Sequence, residues 1–92
     1  MHVVRSMTDA LYECLTKGGV IVSRVENREE RGDSDVIHLH DDYVLAVDYE
    51  DYPVICISLD ERMSVGGNIT VSSWLVKDKE SLTAIVSAAR QV

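Results

Sequence analysis

His38 and His40 stand one residue apart in the stretch "VIHLHDDYVL", residues 36–45, and Asp41 and Asp42 follow at once. Residues i and i+2 of a strand face the same way, so two imidazoles at this spacing could ligate one ion. A zinc site needs a third or fourth ligand, and the remaining histidine is His2, near the start of the chain. Register then decides. A two-residue turn at Asp41-Asp42 would put both histidines on the aliphatic face, where a charged or metal-bound imidazole is costly. A three-residue link at 40–42 puts Ile37 and Leu39 there instead and takes His40 off the strand. The hydrophobic pattern favours the second arrangement, so the expectation is an exposed strand histidine, a turn histidine and no metal.

Other chemistry-bearing residues are as sparse. Cys14 and Cys56 are too few and too far apart for a zinc motif or a disulfide framework, and they read as buried free thiols. There is no GxSxG, HExxH or CxxC, and the glycine pairs at 18–19 and 66–67 lack phosphate-loop spacing. Asp41-Asp42 and Asp60-Glu61 fall at strand ends, where solvated acids are common. The chain therefore reads as non-enzymatic, with no cofactor. The "RGDS" at 31–34 spells an adhesion tripeptide, but a charged loop supplies those residue types anyway.

Charge is the feature that stands out. The net charge is −7, and residues 41–61 carry seven acids and no Lys or Arg. The flanking segments 1–40 and 62–92 sum to −2 and +2, so the whole excess sits in one 21-residue stretch. The sign and the scattered basic residues argue against direct nucleic-acid binding. Three tyrosines are interleaved with the acids. Tyrosine offers large contact area at low entropy cost, and carboxylates steer a basic partner. Asp41, Asp42, Tyr43, Asp48, Tyr49, Glu50, Asp51 and Tyr52 are the expected contact residues. Their expected partner is a basic protein surface, including one that normally holds nucleic acid. The competing reading is an acidic hairpin kept for solubility.

These residues must be carried by a single domain, since 92 residues leave no room for a second core. With no Phe and one Trp, Trp74, the core has to be built from Val, Ile and Leu, which lean toward sheet. Met7, Leu11, Cys14 and Leu15 recur at helical spacing behind a Ser6 cap with Asp9 three residues on, and Gly18-Gly19 ends the run. A helix is expected over 6–17. Strands are expected at 20–25, 35–40, 43–49, 53–59 and 69–75, with a charged loop or extended hairpin tip at 26–35. Asp78 should cap a closing helix over 78–91, with Leu82, Ile85, Val86 and Ala89 as its apolar stripe. No internal repeat is visible.

Alternation gives the sheet unequal faces. Joining 43–49 to 53–59 through "EDY" groups Leu45, Val47, Ile55, Ile57 and Leu59 on one side. The lighter side carries Val44, Ala46, Asp48, Val54, Cys56 and Ser58. Both helices should cover the heavy side of an antiparallel four- to five-stranded sheet, an α+β sandwich. The lighter side would then be partly open, a candidate surface for an oligomerising or adaptor module. The apolar runs are strand-sized, too short to cross a membrane, and a cytoplasmic protein, monomer or homodimer, is expected.

In size, acidity and absence of motifs the chain resembles small phage anti-defence proteins, such as anti-CRISPR inhibitors, and some antitoxin and immunity proteins. The resemblance is one of general character and transfers no residue. It implies a small inhibitor that occupies a partner's functional surface.

Overall fold

A computed structural model describes residues 2–28, 34–40 and 42–92; Asp41 and most of the charged tip at 29–33 lie outside the described residues. The elements run α1 (His2–Lys17), β1 (Val22–Arg28), β2 (Ser34–Leu39), β3 (Tyr43–Asp48), β4 (Ile55–Arg62), β5 (Asn68–Val76), a 3-10 turn (Lys79–Ser81) and α2 (Leu82–Arg90). The five strands form one antiparallel meander in chain order. Both helices contribute to a single core against one sheet face. Leu11, Leu15, Leu82 and Ile85 are buried in one cluster with Ile37, Leu45, Val47, Ile57 and Leu59.

Helix α1 begins earlier than the Ser6-Asp9 signature predicts. No Gly or Pro interrupts residues 2–6, so the helix propagates back through them and Ser6 is interior. Its end follows the sequence closely. Val20 N–H donates to Leu15 C=O at 2.9 Å and Gly19 N–H to Thr16 C=O at 3.1 Å, the paired bonds of a Schellman cap. Gly19 takes the left-handed conformation this cap requires, with φ 83°. Gly18 is needed for a different reason. A Cβ there would lie 2.8 Å from Val86 Cγ1, so its absence lets α2 approach the end of α1. At the other end of the chain the Asp78 carboxylate accepts from Ser81 N–H at 3.1 Å and caps the closing segment as expected.

Register explains the two faces. His38 pairs with Val44 and Ile37 with Leu45, which leaves 40–42 as the link between β2 and β3. The next hairpin differs from the expected one by two residues. Asp48 pairs with Cys56, and residues 49–54 fold into a compact turn rather than a three-residue link. Tyr52 N–H donates to Tyr49 C=O at 3.0 Å and Val54 N–H to Asp51 C=O at 3.1 Å, and the Tyr52-Pro53 bond is cis. Pro53 therefore sits in the turn and not at the head of β4. Because the shift is even, every side chain keeps the face that alternation assigned to it.

Candidate functional site

The described acids of this stretch do not form one patch. Asp42 is exposed at one end of β3, and its C=O accepts Arg62 N–H at 2.6 Å. Asp48, Glu50, Asp51 and Tyr52 lie at the opposite end, on the β3–β4 turn. Asp42 and Asp48 are six residue steps apart along the strand, about 20 Å at 3.3 Å per residue. That exceeds the screening length of about 8 Å at physiological ionic strength, so the two ends act as separate fields.

The β3–β4 turn is the better defined of the two. Asp48 Oδ1 accepts Glu50 N–H at 2.8 Å, a local bond that fixes the start of the turn. Asp48, Glu50 and Asp51 are all exposed, and Tyr52 remains 52% exposed beside them. This cluster can present three carboxylates and one aromatic ring to a partner.

Two of the expected tyrosines are not available to it. Tyr49 is 1% exposed, and its hydroxyl accepts Thr8 N–H at 2.8 Å and contacts Thr8 Oγ1. Thr8 Oγ1 also donates to Asp35 Oδ2 at 2.6 Å, and Asn27 Nδ2 donates to Asp35 Oδ1 at 3.0 Å. Tyr49 thus ties α1 to the sheet through a buried polar chain, and the expectation that it anchors a partner is corrected. Tyr43 is half-buried and packs against the same core. Parity carries the signal for both: positions 43, 45, 47 and 49 share the helix-covered face.

The uncovered face holds a cluster that sequence reasoning missed. Arg24, Glu26, Val36, His38, Val44, Ala46, Asp60, Arg62 and Asn68 line a concavity of ≈ 370 Å³. His38 is buried, not exposed as its strand position suggested. Arg62 Nη2 lies 2.5 Å from His38 Nδ1, and Glu26 Oε1 lies 3.0 Å from His38 Nε2. Guanidinium can only donate, so Nδ1 accepts and the ring proton sits on Nε2, directed at Glu26. Both ring nitrogens are engaged, so taking up a proton at Nδ1 or giving one up at Nε2 would break a bond. The arrangement reads as a structural cluster.

This cluster also changes the character of the face. Val36 and Val44 are buried although no helix covers them, because long polar side chains surround them. Around His38 the uncovered face is therefore a mixed polar surface. No single sequence signal pointed here, since Glu26 and Arg62 are 12 and 24 residues from His38.

His40 turns away from this cluster, and its Nε2 lies 3.2 Å from Val92 C=O. Among the described residues no group of three or more His, Cys, Asp or Glu could hold a metal ion. Cys14 and Cys56 are free and half-buried, more accessible than the buried thiols expected. No helix among the described residues is long and apolar enough to cross a membrane. No protein-family model, curated protein or solved structure matches this chain.

Proposed function

We propose that this chain is a small non-enzymatic binding protein whose contact is the acidic β3–β4 turn, and that its partner presents a basic surface. The observation that carries the reading is the grouping of Asp48, Glu50, Asp51 and Tyr52, all exposed on one turn of a stretch with no basic residue. Three carboxylates raise the encounter rate with a positive surface, and a half-exposed tyrosine can fill a pocket once contact is made. A surface that normally holds nucleic acid has the required charge. In that case the protein acts as an inhibitor that competes with nucleic acid, as the anti-defence resemblance implies.

The test is affinity capture from the source cell with the wild type and with a D48K/E50K/D51K variant. The reading requires a basic protein recovered by the wild type and lost with the variant. Equal recovery by both would leave the acids a solubility role only.

A second reading, a self-associating module, is favoured by a different observation, the character of strand β5.

A further inference from the structure

The sheet has two edges, β1 and β5, and they are built differently. An edge strand presents unpaired N–H and C=O groups, and proteins blunt such edges with charge, bulges or short length. Strand β1 carries Arg24, Glu26 and Arg28 within seven residues and a register break between Val22 and Arg24. Strand β5 is nine residues long and carries no charge at all. Residues 63–76, which include it, form the longest charge-free run in the chain, 14 residues. Leu75 is 72% exposed, and Ile69 and Val71 are also exposed. A register shift between Leu59 and Asp60 interrupts the ladder near Val71, which leaves residues 72–76 as a regular, uncharged edge.

We propose that this edge pairs with its counterpart in a second copy of the chain, antiparallel about a twofold axis at Trp74, to give a ten-stranded sheet. Charge selects the occupant. Two copies of a −7 chain repel through most of their surface, and around a twofold axis any charge on the contact strand meets its own image. Strand β5 is the edge that sets no charge against its own image. A pairing centred on Trp74 sets Ser73 opposite the other copy's Leu75, on the uncovered face. It brings the two Trp74 rings together on the helix side, where each is half-buried against its own core. Aromatic cross-strand pairs of this kind favour strand association. Five paired residues per copy make a small interface, so the dimer is weak and concentration-dependent. The inference stands apart from the acidic-turn reading, and neither falls with the other.

Sedimentation velocity of the whole chain over a roughly hundredfold concentration range tests it. The wild type should pass from monomer to dimer, with added salt strengthening the dimer by screening the repulsion between the two chains, and with the single-tryptophan emission shifting to the blue as dimer forms. S73K/L75K, which sets lysines opposite one another across the axis, should weaken the dimer at least about tenfold. Because those lysines could also disturb the monomer, amide exchange of the unaltered chain supplies a second readout. Protection of residues 72–76 should rise with concentration while β1 is unchanged. A wild type that stays monomeric with constant exchange along β5 would overturn the proposal. So would a dimer that survives the lysine pair in a folded variant, or protection that rises elsewhere.

Discussion

Replacing Tyr49 by Phe removes one oxygen from the core and leaves the ring in place. That oxygen accepts the Thr8 amide at 2.8 Å and contacts Thr8 Oγ1, at a site where Tyr49 is 1% exposed and Thr8 is also buried. Water does not reach the vacated position, so the lost bond is not replaced by hydration. Thr8 Oγ1 keeps its acceptor on Asp35 at 2.6 Å, so that part of the polar chain survives the substitution. One buried hydrogen bond with a desolvated partner left behind corresponds to about 1–2 kcal/mol. A domain of this size is stable by about 5–14 kcal/mol in total, so the change is measurable. It should lower the melting temperature by roughly 4–16 °C, at 4–8 °C per kcal/mol. Urea denaturation followed by circular dichroism measures the loss, with Tyr52→Phe as the exposed control, expected within about 0.5 kcal/mol of wild type. A cycle with Thr8→Val should give a coupling of at least about 0.5 kcal/mol, since the two groups touch. If Tyr49→Phe and Tyr52→Phe are equally silent, the buried polar chain between α1 and the sheet does not hold the fold as described.

Two further outcomes follow from the polar contacts. Long-range ¹H–¹⁵N correlation spectra should show His38 as the Nε2–H tautomer, because Arg62 can only donate to Nδ1 and the Glu26 carboxylate can only accept from Nε2; an Nδ1–H ring in the wild type would contradict the cluster geometry. Glu13 should titrate below the ordinary carboxylate range, through its hydrogen bond and then its attraction to Lys17 at 2.9 Å, and Lys17→Met should return it to normal. The sign follows from the depressed folded value: the pair helps the fold at neutral pH, and that help fades as pH falls through the carboxylate range. Both side chains are solvent-exposed, so a carboxylate-resolved NMR titration is the suitable probe, not a melting curve.

Periodicity made most of the fold legible. The aliphatic positions of β3 and β4, the α2 stripe and the glycine stop after Lys17 all encode local geometry, and local geometry can be read from neighbouring residues. The three-residue link at 40–42 was legible for the same reason, since only that register keeps Ile37 and Leu39 with Leu45. The β3–β4 register was not, because the turn at 49–54 is closed by bonds that a count of linking residues does not reveal. Tyr49 was misassigned because composition suggested an exposed aromatic among acids, while its parity with Leu45 and Val47 pointed inward. His38 could not have been placed: its partners arrive from β1 and β4, and only tertiary structure brings them to it.

The acidic turn as a contact surface is the central claim, and association kinetics with the captured basic partner test it most directly. D48K/E50K/D51K should slow association by about tenfold or more, and added salt should slow the wild type in the same way, because screening acts on encounter. Tyr52→Ala should leave association nearly unchanged and speed dissociation, by about 2 kcal/mol if the ring fills a pocket. The contradicting result is specific: both rates unchanged in the charge-reversed protein and in Tyr52→Ala, with binding abolished instead by substitutions at Ser23, Arg24 or Trp74.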